Sequence, residues 1–150
     1  VLADLRKIGL NPALRTEIES AASGGEGAAG ADCLVIDTTG ELNGWYLEAE
    51  LVVVGKSFLA EGGQNPVEPI LAGKPVFYGP HMGNFAALVR MLGRVGGAMQ
   101  VADLSELEAA LATALADPSQ PAEMVAKATA AMASHAGAAA RTAEEILGAE

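Results

Sequence analysis

The chain has 150 residues, which is the length of about one ordinary domain and is enough for a substantial hydrophobic core. Hydrophobic residues make up 51% and charged residues 19%, so the composition is that of a globular protein rather than a disordered one. Nineteen acidic residues against nine basic ones leave a net charge of −10, which argues against nucleic acid as a partner. The single cysteine, Cys33, excludes an internal disulfide.

The apolar runs and the first residues indicate what kind of chain this is. No run approaches the roughly 20 apolar residues of a membrane-spanning helix, and the first residues lack the pattern of a signal peptide. Because the chain begins at Val1 without an initiator methionine, we expect it to be a piece of a longer protein. The sequence has no metal-ligand spacing of the zinc-protease kind, no nucleophile elbow and no Walker loop, and we expect neither a metal nor another cofactor.

Helical and extended patterns alternate through the first third of the chain. In chain order they predict a helix over 1–8, an ambiguous segment 11–19 for which a short strand at Leu14–Thr16 is one interpretation, a loop over 20–31, a strand at Cys33–Ile36, a helix at Leu42–Glu48 and a strand at Leu51–Val54. The two strands are continuous apolar runs, which is typical of parallel strands that are buried on both faces.

The same alternation continues to the end of the chain. The patterns predict a short helix at Pro66–Ala72, a strand at Pro75–Tyr78, a helix at Asn84–Leu92 closed by Gly93, a short strand at Ala98–Val101, a helix from a Ser105–Glu108 capping box to about Ala116, and one or two Ala-rich helices over 121–147 interrupted near Gly137. Such βαβ units predict an α/β fold, a Rossmann-like parallel sheet flanked by helices, with Ala-rich C-terminal helices.

Three loops follow the three clearest strands. They begin at Asp37, Gly55 and Gly79. Because parallel strands end at the same edge of a sheet, we expect all three loops to open there, with Gly40, Gly63 and Gly79 on one side.

The second loop has the most chemical content. Gly62 and Gly63 allow the backbone to approach a ligand closely, and a helix that starts at Pro66 has free N–H groups that suit a phosphate. Glu68 in its first turn can accept hydrogen bonds from ribose hydroxyls. The alternative is that the glycines serve a tight turn and that Glu68 only caps the helix. Both interpretations are open at this point.

Other candidate residues carry less information. A lone histidine in a loop, His81, is more often structural than catalytic, and Cys33 inside a strand is more often a core residue than a nucleophile. Trp45 and Tyr46 are interpreted as packing anchors, with a position of Tyr46 in the cleft as the alternative. Composition and spacing therefore lead to the nucleotide-binding half of an α/β protein and no further.

Read in order, the loop motifs resemble a known family. They are D-T-T-G-E-L-x3-Y at Asp37–Tyr46, G-x-S at Gly55–Ser57, G-G-Q-N-P-V-E-P at Gly62–Pro69, and G-K-P-V followed by G-P-H-M-x-N-F within Gly73–Phe85. This set is similar to the C-terminal domain of 3-deoxy-D-manno-octulosonic acid (Kdo) transferases. These are glycosyltransferases of the GT-B architecture, in which two Rossmann-like domains face each other. The motif similarity covers about residues 33–85.

The resemblance implies that the chain binds the nucleotide sugar CMP-Kdo. It assigns this ligand to Gly40, Glu41, Leu42, Ser57, Gly62, Gly63, Gln64, Asn65 and Glu68. The general base and the lipid A precursor would belong to an N-terminal domain outside this chain, so no residue here is expected to be catalytic and the chain alone is expected to be inactive. The whole protein would act in lipopolysaccharide biosynthesis at the cytoplasmic side of the bacterial inner membrane.

Two positions depart from the family pattern. Gln64 stands where family members often have His, and Lys56 stands where they often have Gly. Gln can still donate a hydrogen bond to a phosphate oxygen or a hydroxyl, but it carries no charge. Two other functions stay open, namely a GT-B domain that uses another nucleotide sugar, and a nucleotide-binding module without catalytic activity.

Overall fold

The structure, a computed structural model, describes residues 1–21, 30–59 and 62–147. For 19–21 and 134–147 it describes the backbone only. Most of the predicted loop 20–31 therefore lies outside the described residues. Two compact units are present, Val1–Leu42 and Asn43–Glu150. That the whole chain forms a single domain of a larger protein stays a prediction.

The first unit contains a two-stranded parallel sheet. Its elements are helix α1 (Leu2–Lys7), strand β1 (Pro12–Leu14), helix α2 (Arg15–Ala21) and strand β2 (Cys33–Val35). Residues of the two strands pair from Pro12 opposite Cys33 to Leu14 opposite Val35.

The ambiguous segment 11–19 is resolved differently from the interpretation at Leu14–Thr16. The strand ends at Leu14, and helix α2 begins at once. The N–H of Leu14 donates to the Glu17 carboxylate over 3.2 Å, which caps the start of the helix and ends the strand. A strand centred on Arg15 was therefore the wrong interpretation.

The second unit contains a three-stranded parallel sheet. Strands β3 (Val52–Val54), β4 (Val76–Tyr78) and β5 (Met99–Gln100) lie in that order, with β4 in the centre. The α/β class, with parallel strands flanked by helices, is thus confirmed. The strands form two separate sheets, however, whereas the alternation of strands and helices in the sequence predicts a single sheet.

The helices of the second unit cover both faces of this sheet. The helices that follow β2 in the chain are α3 (Leu42–Glu48), whose first residue belongs to the first unit, α4 (Lys56–Leu59), α5 (Val67–Leu71), α6 (Ala86–Val95), α7 (Leu104–Ala116) and α8 (Ser119–Leu147), with a 3-10 turn at Gly83–Phe85. Successive side chains of β4 point to opposite faces. Tyr78 accordingly packs in a cluster with Leu92 and Ala128, and Phe77 in another with Ala114 and Met124. Among the described residues, no helix is both long and apolar enough to span a bilayer.

Two helix ends differ from the sequence predictions. Helix α6 runs past Gly93 and ends at Gly96, whose φ of 67° provides the left-handed residue that closes it. Helix α8 continues through Gly137 without interruption. A glycine inside a helix costs about 1 kcal/mol but does not break it, so neither glycine acts as a stop. Pro121 lies in the first turn of α8, where its missing N–H costs no hydrogen bond.

The start of α7 also lies elsewhere than predicted. Asp103, not Ser105, is the N-cap: its carboxylate accepts the N–H of Glu106 over 2.9 Å. Glu106 in turn accepts the N–H of Ala102 over 2.6 Å. The capping residues are thus Asp103 and Glu106, two positions before the predicted pair Ser105 and Glu108. Both pairs have the same spacing of three residues, so the spacing alone does not distinguish them.

Replacing Asp103 by Ala is expected to lower the free energy of unfolding by about 0.5–2 kcal/mol, because the N–H of Glu106 loses its acceptor. Urea unfolding followed by circular dichroism measures this. Ser105→Ala is the control and should leave stability nearly unchanged. Equal losses in the two variants would contradict the assignment of the cap.

Candidate functional site

The second and third loops contact each other beyond the carboxyl ends of β3 and β4. Gly63 is buried with a φ of 47°, and a Cβ there would collide with the sulfur of Met82. Gly62 has a φ of 102°, and a Cβ there would come within 3.0 Å of the Asn84 amide nitrogen. The positive φ of both residues favours glycine, and a Cβ at either position would push against a side chain of the third loop. The predicted meeting of these two loops at one edge is therefore present.

Ser57 connects the second and third loops through hydrogen bonds at the end of β3. It is fully buried, its hydroxyl donates to the Val54 carbonyl, and the same oxygen accepts the N–H of Gly79 over 2.7 Å. The Ser57 carbonyl accepts the N–H of His81 over 3.0 Å. The side chain thus holds the third loop against the end of β3. Its predicted contact with a nucleotide sugar stays a prediction, and in this structure its surface is not accessible to one.

Ser57→Ala is expected to lower the free energy of unfolding by about 1–3 kcal/mol, because the buried N–H of Gly79 is left without an acceptor. Thermal melting measures the loss. An exposed serine outside the site, Ser105, provides the matched control, Ser105→Ala. A Ser57→Ala variant as stable as the control would show that the Ser57 hydrogen bonds contribute nothing.

A cleft of about 390 Å³ opens where the two loops meet. It is lined by Gly62, Pro80, His81, Gly83 and Asn84. His81 and Asn84 are exposed and bring a ring nitrogen and an amide to this cleft. Neither was among the predicted site residues. The signal that could have found them is the motif G-P-H-M-x-N-F, which places both directly after a buried strand.

Asn65 and Glu68 form a small polar group at the start of α5. The side-chain oxygen of Asn65 accepts the N–H of Val67 over 3.0 Å, and its nitrogen lies 3.3 Å from a carboxylate oxygen of Glu68. Both side chains and Gln64 are exposed. Helix α5 begins at Val67, one residue later than predicted, and its first N–H is bound by Asn65. The expectation of free N–H groups was thus wrong for Val67.

Tyr46 lies within electrostatic reach of Glu68. Partial burial raises the pKa of the Tyr46 hydroxyl, and the negative charge of Glu68 raises it further. Tyr46 is not among the residues that line the cleft of the two loops, and its position in the cleft stays a prediction. Since the phenol stays neutral at pH 7, its hydroxyl is available as a hydrogen-bond donor.

The first loop belongs to the first unit. Asp37 accepts the N–H of Thr16 over 3.1 Å and its hydroxyl over 2.6 Å. The hydrogen bond from that hydroxyl is the main cause that lowers the pKa of Asp37. Arg15 pairs with Glu41 over 3.1 Å, and Gly40 has a φ of 87°.

These contacts hold Asp37 and Glu41 of the first loop against residues at the start of α2. Glu41 is half-buried in its ion pair, whereas Leu42 is half exposed at the start of α3. That Gly40, Glu41 and Leu42 contact a ligand stays a prediction. Over the ranges that the structure describes, no three His, Cys, Asp or Glu side chains are grouped so that they could hold a metal ion.

Comparison with known proteins gives a consistent result, although no protein-family model matches the chain. A 3-deoxy-D-manno-octulosonic acid transferase of Bordetella pertussis is 38% identical over 145 residues, which is 96% of this chain. The chain is homologous to the Kdo transferases. A transferase of the same name from Haemophilus influenzae is 40% identical over 65 residues, or 43% of this chain. The family resemblance of the loop motifs is thereby confirmed.

The fold comparison agrees with the homology. The crystal structure of the C-terminal CMP-Kdo binding domain of WaaA from Acinetobacter baumannii matches with a TM-score of 0.75. It covers 87% of this chain and 65% of that one, at 23% identity, so this likeness concerns the fold. The chain spans only about a third of the length of the Kdo transferase from Bordetella (32%).

Proposed function

We propose that the chain is the donor-binding domain of a Kdo transferase and binds CMP-Kdo. The observation that carries the proposal is the homology to a Kdo transferase along 96% of the chain. The fold likeness to a domain named for CMP-Kdo binding supports the same ligand. The loop geometry adds a polar cleft at the sheet edge where open parallel sheets bind ligands.

Within this proposal, individual residues of the second unit have different roles in binding the donor. Gly62 and Gly63 let the backbone pass close to a phosphate, which His81 and Asn84 flank across the cleft. The carboxylate of Glu68 accepts hydrogen bonds from ribose, and Asn65 orients it. Gln64, at a position where family members often have His, donates a neutral hydrogen bond. Gly40, Glu41 and Leu42 of the first unit belong to the proposal on the strength of the family resemblance. Ser57 belongs to it through the third loop, which its buried hydroxyl holds in place.

The whole protein, in this proposal, transfers Kdo to a lipid A precursor in lipopolysaccharide biosynthesis, at the cytoplasmic side of the inner membrane. A hydroxyl of the lipid forms the new bond to the anomeric carbon, the bond from that carbon to the phosphate breaks, and CMP leaves. A base of another domain takes the hydroxyl proton. The contribution of this chain is to bind and orient the donor, which is a large part of the rate in such reactions.

Calorimetric titration with CMP, UMP and GMP tests the proposal. We expect CMP to bind and the other two nucleotides to bind at least about ten-fold more weakly, since a base-specific site leaves polar groups unpaired with the wrong base. The titration is made on this chain and on the longer protein that, in this proposal, contains it. Preference for UMP or GMP would favour another nucleotide sugar as donor. CMP binding by the longer protein without Kdo transfer would favour a non-catalytic module.

A second assay concerns activity. The 150-residue chain by itself is expected to transfer no Kdo to a lipid A precursor, because the proposal assigns acceptor binding and the general base to another domain. The longer protein is the positive control. Transfer by the isolated chain would overturn the division of labour proposed here.

A further inference from the structure

A second and larger cleft lies between helices α6 and α8. Its volume is about 760 Å³, within the range of about 300–1,000 Å³ that is usual for small-molecule sites. It shares no lining residue with the cleft of the loops, since its walls come from the two helices and from strands β4 and β5. Nothing in the proposed donor binding uses it.

The rim of this cleft is positive in a protein whose net charge is −10. Arg90 and Arg94 lie four residues apart, on one side of α6, and Lys127 faces them from α8. Lys127 is paired with Glu123 over 2.8 Å. Within the ranges that the structure describes, neither arginine has a carboxylate partner. Three cations against one carboxylate leave an excess of two positive charges.

Much of the lining of the cleft is apolar, with Gln100 and Gln120 as polar side chains among it. Its floor includes Val89, Ala98, Met99 and Met124. Gly93 lies between the two arginines on α6, and a Cβ there would meet nothing within 4 Å. Packing therefore does not require a glycine at this position, although it costs the helix about 1 kcal/mol relative to alanine. Its effect is to keep the cleft open.

We propose that this cleft binds a phosphate monoester with an apolar body. A phosphate monoester carries a charge of about −1.5 to −2 at pH 7, which matches the excess of two positive charges. Arginine forks bind phosphate oxygens in pairs, and the apolar floor accommodates an alkyl or aryl group. The ligand is either a soluble molecule or the headgroup of a lipid such as phosphatidic acid.

Calorimetric titration with octyl phosphate and inorganic phosphate tests the two parts of this site. Octyl phosphate is expected to bind at least about ten-fold more tightly than inorganic phosphate, because its chain covers the apolar floor. The double variant Arg90→Gln/Arg94→Gln should lose about ten-fold or more of the octyl phosphate affinity. Gly93→Leu should fill the cleft and abolish binding, with a melting temperature no lower than that of the unchanged chain.

The matched control is Arg6→Gln/Lys7→Gln, which removes two exposed cations from α1 in the first unit. It should bind octyl phosphate as the unchanged chain does. An equal loss in the control, binding by Gly93→Leu, or displacement of octyl phosphate by CMP would each overturn the proposal. The first result would indicate non-specific charge attraction, and the last would assign the ligand to the donor site.

Sedimentation with vesicles separates the two sources of the ligand. Phosphatidylcholine vesicles with and without phosphatidic acid are compared for the unchanged chain and the double arginine variant. Recruitment that needs phosphatidic acid and both arginines supports a lipid headgroup. Binding of octyl phosphate without such recruitment supports a soluble ligand. Absence of both overturns the proposal while leaving CMP binding by the donor site unaffected.

Discussion

Replacing Glu68 by Gln is expected to weaken CMP binding about five- to thirty-fold, a loss of roughly 1–2 kcal/mol. A charged acceptor contributes about 1.5–3 kcal/mol to a hydrogen bond and a neutral one about 0.5–1.5 kcal/mol, so the amide keeps the shape but loses part of the attraction for ribose hydroxyls. Glu68 is exposed and lies 3.3 Å from Asn65, which leaves its second oxygen free for a ligand. Calorimetric titration of CMP measures the change.

Glu50→Gln is the control for the loss of one exposed carboxylate outside the loops. It should leave CMP affinity unchanged. If Glu68 acts only as a charge at the start of α5, the variant would instead lose about 0.3–1 kcal/mol of stability, seen in thermal melting. Unchanged CMP affinity with a lowered melting temperature would therefore assign Glu68 to the fold. Asn65 would then be the better candidate for contact with the ligand.

Gly79→Ala is expected to destabilise the chain by about 1–3 kcal/mol, as overpacking of a tight contact usually does. A Cβ at this position would lie 2.7 Å from the carbonyl oxygen of Ser57 and 2.8 Å from the Phe58 ring. Because the first of these is backbone, the two loops must separate. At about 2–4 °C per kcal/mol for a chain of this size, thermal melting should show a fall of roughly 2–12 °C.

The same separation should weaken CMP binding, since it moves His81, whose N–H is bound by the Ser57 carbonyl. Gly55→Ala is the matched control, because a Cβ there would meet nothing within 4 Å and its φ is not in the left-handed region. Its melting temperature should stay close to that of the unchanged chain. A Gly79→Ala variant as stable as Gly55→Ala would show that the loops are not held together by this contact.

Local chemistry was enough to predict the strands and most helices of the second unit. The apolar runs that contain Val52–Val54 and Val76–Tyr78 are strands in the structure. Val76–Tyr78 is buried on both faces, as a continuous apolar run predicts, whereas Val54 is buried and Val53 exposed in the other strand, so the burial predicted there was wrong. Helix Leu42–Glu48 was predicted to the residue. The loop motifs that follow these strands also predicted the family, since their order along the chain is more specific than any one of them.

Helix ends were predicted less well, because several residues of similar chemistry compete for each cap. Asp103 and Ser105 are both good N-caps, and Gly93 and Gly96 both good C-caps. The choice depends on which turn packs on the sheet. Leu92 is fully buried, and Gly97 lies against Ala128, so the helix must continue past Gly93 for this packing to form.

At the candidate site, too, the sequence predicted some features and the tertiary structure decided others. The sequence by itself predicted residue types that suit the proposed nucleotide sugar, among them Gly62, Gly63 and Glu68, because close backbone approach and charge are properties of single residues. Only the tertiary structure decided which side chains are exposed at the cleft between the loops. Ser57 is buried beneath the loops, whereas His81 is exposed at the cleft, since long-range hydrogen bonds across the ends of β3 and β4 determine where each side chain lies.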